Sequence, residues 1–239
     1  MNLKAQTQAF QDKALAPPRV ATRQERVFAA PLGVATIGHL IFARGASRIT
    51  LSADPGLSCL FQAHFEGRVP DVRVQEGRVT IRYPYLLLLN WLTYWRRKPV
   101  ANVMLNSSIA WHLLFRGGVS RLTAELERMR LRSVEFGGGA SRINMKLPPP
   151  TDTVSIRING GASNVAIHRP DDVPVRIRVD GGLDKLTLDR QRFGAMGSGL
   201  DGKTDTYESV TDRYDITILG GARHITVDTW NPSTLDKTR

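Results

Sequence analysis

The chain has 239 residues, of which 41% are hydrophobic and 23% charged; that is enough apolar content for a real core and excludes wholesale disorder. Its single cysteine, Cys59, excludes an intramolecular disulfide and any cysteine-built metal cage, and fits a reducing compartment. The net charge of +11 is unevenly spread: residues 73–150 carry 13 Lys/Arg against 4 Asp/Glu, whereas 151–239 carry 12 against 13. A basic field of this kind attracts anionic lipid, nucleic acid or acidic protein without specificity, and it also keeps a protein soluble.

Taken in chain order, residues 1–26 are rich in Ala, Gln and charge, with Pro17-Pro18 interrupting any helix and no apolar core of signal-peptide length. They are expected to form a mobile arm. Residues 27–230 read as the folded body. A degenerate corner, Arg44-Gly45-Ala46-Ser47, precedes the alternating run Ile49, Thr50, Leu51, and a further β-rich run spans Val79–Tyr83. Tyr83 to Pro99 then breaks the pattern with thirteen mostly apolar residues ending in Trp95, followed by Arg96, Arg97 and Lys98. No stretch of 18 apolar residues occurs, so this insertion is too short to span a bilayer.

From there the chain is punctuated by glycine pairs at 117–118, 138–139, 160–161, 181–182 and 220–221. The first three intervals are 21, 22 and 21 residues; the last is 39 and contains a loop-like segment from Gly194 to Thr206. Four residues after the second glycine come Ile49, Leu122, Ile143, Val165, Leu186 and Ile225, and six residues after it Leu51, Ala124, Met145, Ile167, Leu188 and Val227. A second alternating run precedes each pair, as in Val154, Ile156 and Ile158. Period-2 alternation with β-branched enrichment marks half-buried strands. Each repeat thus reads strand, proline- or aspartate-rich corner, strand, glycine corner, with the glycines expected to supply positive φ angles and close approach. The predicted architecture is all-β: a single-stranded parallel β-solenoid with imperfect rungs of about 21 residues, wound right-handed as parallel crossovers strongly favour. An antiparallel sandwich explains the constant register less well. Residues 231–239 read as a polar tail.

From about Val27 to Val227 this pattern resembles the bacterial toastrack and adhesin-type β-solenoid families, also found in the C-terminal part of cell-wall stress-response regulators. The residues carrying the resemblance are Arg44-Gly45-Ala46-Ser47-Arg48, Phe65-Glu66-Gly67, Val79-Thr80-Ile81-Arg82-Tyr83-Pro84, Trp111 and the later glycine corners. It implies a folded interaction or scaffold module rather than an enzyme.

Two features are candidate contacts. The first is a basic ladder three positions after the aligned glycine: Arg48, Arg121, Arg142 and Lys185, with Asn164 and His224 at the equivalent places. Rungs stack about 4.8 Å apart, and like charges at that spacing in water repel by about 1 kcal/mol, a cost that an anionic partner relieves and that splayed, solvated side chains also relieve. The second is the insertion, through Tyr85, Leu88, Trp91, Tyr94, Trp95, Arg96, Arg97 and Lys98. Aromatic rings beside cations suit an anionic membrane interface or a protein-docking patch, while a segment folded against the body would simply cap an open edge.

Catalytic and metal chemistry are poorly supported. The five histidines occupy different repeat positions with no ligand-spaced pair. Asp180, Asp184 and Asp189 could meet around a glycine corner, as carboxylates do in solenoid polysaccharide enzymes, but no spacing pairs them. Gly194–Gly199 lacks the Lys-Ser/Thr ending of a phosphate loop. The expectation is a bacterial cytoplasmic, non-enzymatic scaffold with no cofactor or metal, whose partner is a protein or a second copy. Peripheral contact with the inner face of the membrane is the alternative, and specific nucleic-acid binding is not expected.

Overall fold

A computed structural model describes residues 27–44, 47–84 and 99–232. The arm 1–26, the insertion residues 85–98 and residues 233–239 of the tail lie outside the described residues. In chain order the strands are β1 (Val27–Pro31), β2 (Ile37–Phe42), β3 (Arg48–Asp54), β4 (Cys59–Glu66), β5 (Asp71–Gln75), β6 (Arg78–Arg82) and β7 (Val100–Asn106). They continue with β8 (Ala110–Phe115), β9 (Leu122–Glu125), β10 (Arg130–Phe136), β11 (Ala140–Lys146), β12 (Val154–Ile158) and β13 (Ala162–Pro170). The last six are β14 (Val175–Val179), β15 (Leu183–Leu188), β16 (Gln191–Phe193), β17 (Leu200–Lys203), β18 (Tyr214–Ile218) and β19 (Ala222–Trp230). No α-helix occurs among the described residues.

These strands form two mixed sheets with one core between them. The ten-stranded sheet runs β1-β4-β7-β3-β9-β11-β13-β19-β15-β16, and the nine-stranded sheet β17-β14-β18-β12-β10-β8-β2-β6-β5. Pairing is parallel from β7 to β15 in the first and from β14 to β6 in the second. At both ends the pairs become antiparallel: β1 with β4 and β4 with β7, β5 with β6, β15 with β16, and β14 with β17. The expectation of one uniformly parallel coil is therefore corrected. The physical reason lies at the edges: an exposed parallel strand leaves unpaired N–H and C=O groups, and a short antiparallel strand can cover them through a tight turn. Glu76 and Gly77, with φ of 47° and 76°, make such a turn between β5 and β6. The segment read as loop-like contributes β17, and β16 lies just before it.

The stacking order is also not the chain order. The last rung, β18 and β19, lies between β12–β13 and β14–β15; the first, β2 and β3, lies between β6–β7 and β8–β9. Periodicity could not have revealed this, because every rung offers the same alternation and the same corner to any neighbour.

Alternation places matching apolar residues in columns. Phe42, Phe115 and Phe136 stack at 5.4 and 4.8 Å between ring centroids, with planes 14° and 9° apart. In register, Ile158, Ile218 and Val179 extend that column, all buried. Each such side chain contributes roughly 1.5–3 kcal/mol. Trp111 is fully buried opposite Gly38, where a Cβ would meet its ring at 2.5 Å. Its Nε1 donates to Asn106 O at 2.7 Å, and the Asn106 side chain in turn donates to Leu57 O and Cys59 O.

The paired glycines serve close approach, not positive φ: none of them has a positive φ. In stacking order, a Cβ on Gly138 would lie 3.0 Å from Gly118 N, on Gly160 2.7 Å from Gly139 N, on Gly220 2.7 Å from Gly160 C, and on Gly181 2.6 Å from Gly220 C. The second glycine is less crowded, as for Gly161, whose nearest neighbour is Gly221 O at 3.4 Å. Gly160→Ala is therefore expected to cost about 1–3 kcal/mol by forcing adjacent rungs apart, and Gly161→Ala distinctly less. Urea unfolding of the two variants checks this, and equal costs would contradict it.

Candidate functional site

The glycine corner turns the chain from the nine-stranded into the ten-stranded sheet, and its motif is nearly repeated: Gly45-Ala46-Ser47-Arg48, Gly118-Val119-Ser120-Arg121 and Gly139-Ala140-Ser141-Arg142. Register places β3, β9 and β11 side by side through Ile49, Leu122 and Ile143. Arg48, Arg121 and Arg142, each one residue before those positions, are therefore exposed at the same corner, although Arg48 is distant in sequence and Arg142 alone of the three has a positive φ. Arg142 Nε donates to Ser120 O at 3.3 Å, which lays that side chain along the neighbouring rung. No carboxylate pairs with any of the three among the described residues. Lys185 is not next to them. The stack runs Arg142, Asn164, His224, Lys185, a correction to the sequence order that follows from the inserted β19.

Positive φ falls on this ladder rather than on the glycines: Arg142 (53°), Asn164 (55°), His224 (52°) and Lys185 (64°). Pairing passes from Ser141↔Ser163 directly to Ile143↔Val165, and likewise in the next two strand pairs, so bulges line up across four strands. A bulge adds one residue and turns two neighbouring side chains outward. The sequence carried its signal: buried Ala140, Ala162, Ala222 and Leu183 sit three residues, not two, before the next buried position. In the far half the same corner neutralises itself, with Arg223 Nε 3.2 Å from Asp184 Oδ2.

All eight insertion residues named above lie outside the described residues. Its described ends lie at the same corner. Seventeen residues, 83–99, separate β6 from β7, against three between β10 and β11, β12 and β13, β14 and β15, or β18 and β19. Tyr83 is buried, its phenol pushed up to about 12 by desolvation, and Arg44 donates to its carbonyl at 3.3 Å.

Charged groups elsewhere are tied to structure. Asp184 pairs with Arg223, Asp189 accepts from the buried Arg169, and the Asp180 N–H joins the ladder at Ile218 O. Asp184 and Asp189 stand at opposite ends of β15, roughly 16 Å apart at the usual strand rise, so the carboxylate cluster does not form. Burial pulls the Arg169 guanidinium below its ordinary range against the opposing influence of Asp189 and Asp228. Its ion pair joins β13 to the end of β15 across β19. Among the described residues no group of three His, Cys, Asp or Glu side chains could hold a metal ion.

One pair escaped the sequence reading. His39 and His112 stack at 4.9 Å on the outer face of β2 and β8, and His112 Nδ1 lies 2.8 Å from Ser133 Oγ. The signal was there in the near-repeat His39-Leu40-Ile41-Phe42 and His112-Leu113-Leu114-Phe115. Burial, then Arg78, holds His39 below 6.5; burial, then His39 and Arg132, does the same for His112. Among the described residues no carboxylate bonds to the His112 ring, so the Ser133 contact there lacks the third member of an activated-nucleophile arrangement.

No protein-family model and no curated protein matches the chain in sequence. A solved structure does match in fold. It is a candidate cell adhesion protein from Clostridium sporogenes ATCC 15579, with a TM-score of 0.65 at 17% identity, covering 85% of this chain and 98% of that one. The two chains share an all-β fold.

The histidine stack sets a pH dependence. Folding favours the neutral rings, so the unfolded chain binds more protons between the depressed folded values and 6.5. Stability is full above 6.5 and falls as pH drops through the folded values. Urea midpoints from pH 7.5 to 5 are expected to decline, and less steeply in His39→Gln/His112→Gln; an unchanged slope in that variant would assign the decline elsewhere.

Proposed function

We propose that this chain is a non-enzymatic interaction module of the toastrack, adhesin-like kind, acting from the bacterial cytoplasm, with its glycine-corner edge as the contact surface and the Tyr83–Pro99 insertion as the main contact. The observation that carries this reading is the 17-residue excursion at one corner of a stack whose other glycine corners are short. Strands β6 and β7, one in each sheet, hold the described ends of that excursion, Tyr83 and Pro99. The leading partner is a protein. Anionic membrane is the second reading, favoured by the arginines that occupy the same edge.

Photo-crosslinking in cells tests the contact. A photoreactive residue in place of Trp91 is expected to give discrete adducts, and the same residue at Thr217, on the outer face of the nine-stranded sheet in the far half, none. Absence of adducts at position 91, or equal yields at both, would remove the insertion as the contact.

A further inference from the structure

We propose that the outer face of the nine-stranded sheet holds a site for a tetrahedral oxyanion, a sulfate or phosphate group, formed by Arg78, His39, His112 and Arg132. The site lies on a sheet face, not at the glycine corner, and stands apart from the reading of that corner. Register sets most of it: Arg78 of β6 pairs with His39 of β2, His39 with His112 of β8, and His112 with Ser133 of β10. Register partners share a face and stand about 4.8 Å apart. The two imidazoles are partly exposed and stack at 4.9 Å, their planes 17° apart. Arg78 flanks them on one side. Arg132 flanks them on the other, as the extra residue where the register shifts between Leu131 and Ser133; both arginines are exposed.

The charges around the pair select the ligand. Strands β6, β2, β8 and β10 carry four arginines, Arg78, Arg82, Arg130 and Arg132, against one carboxylate, Glu135. Glu135 accepts from Asn159 Nδ2 at 3.0 Å and pairs in register with Leu114 and Arg157, the next row of the face. Arg82 stands opposite Asp71 of β5, Arg130 donates to Ser108 O, and Glu76 lies in the turn before β6. Neither Arg78 nor Arg132 pairs with a carboxylate among the described residues. Along the histidine row the first carboxylate is Asp215, three strands beyond His112 and about 14 Å away at the ladder spacing. A transition-metal ion, the other ligand that a histidine pair suits, would meet two guanidiniums, and no third ligand is placed for it among the described residues. An oxyanion meets opposite charge and donors throughout. With the Ser133 hydroxyl donating to His112 Nδ1, 2.8 Å away, the ring proton sits on Nε2, so even the neutral imidazole offers a donor. Arg78 lowers the proton affinity of His39, and His39 and Arg132 that of His112, each after burial. A bound anion opposes those repulsions, so anion and proton bind together.

Calorimetric titration of the full chain with sodium sulfate, at constant ionic strength in chloride, tests this. Sulfate keeps its charge between pH 7.5 and 5.5, so a change in affinity over that range comes from the protein. Affinity is expected to rise about ten-fold across it through proton uptake by the pair. Arg78→Gln/Arg132→Gln is expected to weaken binding about ten-fold or more, and His39→Gln/His112→Gln to abolish the pH dependence. Arg157→Gln/Arg178→Gln, the same charge removed from the same face further along the stack, is expected to lose far less. No saturable binding over the chloride background, equal losses in the two arginine variants, or an affinity independent of pH would overturn the proposal. A sulfated disaccharide separates a free ion from a group carried on a larger ligand: tighter or weaker binding than inorganic sulfate supports the site, and equally tight binding of the unsulfated sugar overturns it. The unsubstituted chain gives a second measurement, free of any folding defect. Sulfate is expected to raise the NMR titration midpoints of His39 and His112 and leave the other histidine signals in place; no selective movement would sink the assignment.

Discussion

Neighbouring corners can hydrogen-bond at the ladder distance only if nothing projects between them, and that constraint governs the rest of the structure. Gly138, Gly160, Gly181 and Gly220, each the first glycine of its pair, meet this demand. A methyl group there would lie 2.6–2.7 Å from the backbone of the next rung at Gly160, Gly181 and Gly220, closer than real Cβ contacts allow, and 3.0 Å from it at Gly138. With corners stacked this tightly, strands leave them in a fixed register, and side chains equivalent by sequence become neighbours in space. The phenylalanine column inside and the corner arginines outside are two consequences of one spacing.

The same uniformity frees the stack from chain order. Ladder bonds and alternating faces are alike in every rung, so the chain can place β14–β15 one position out and fill the gap with β18–β19. What distinguishes that join is specific chemistry: Arg169 reaches Asp189 across β19, and Trp230 Nε1 donates to Leu147 O at 3.1 Å, tying the end of the last strand to the corner after β11. At the other end, placing β2–β3 between β6–β7 and β8–β9 brings Arg48 beside Arg121 and His39 beside His112. Stacking order, rather than charge content, thus concentrates the basic edge at one end.

Much of this was legible in the chain. Alternation around 49–51, 143–145 and 225–227 located strands and buried faces, and the glycine pairs located the corners, because both signals are local. Direction and order were not legible. Whether β4 runs against β7 depends on which edge is left open, and the 39-residue interval before Gly220 resembles a doubled period whether or not the last rung turns back. At Arg142, Asn164, His224 and Lys185 the left-handed backbone is written only in the three-residue spacing of the buried positions around it, which the period-2 alternation on either side hides. The histidine stack has no ligand spacing in the sequence, because it arises when two copies of one motif, 39–42 and 112–115, are laid side by side by the stacking order.

The central claim is that identical corners allow β19 to lie between β13 and β15. With Cys59 replaced by Ser, two cysteine pairs test it: Ala166→Cys/Thr226→Cys, in direct register, and Ala166→Cys/Thr187→Cys, two strands apart. Adjacent strands bring Cα atoms to about 4.8 Å, within disulfide reach, while two strands give about 9.6 Å, beyond it. Mild oxidation is predicted to bridge the first pair and leave the second as free thiols. A bridge in the second pair and not the first would mean that the rungs follow chain order, and would contradict the account.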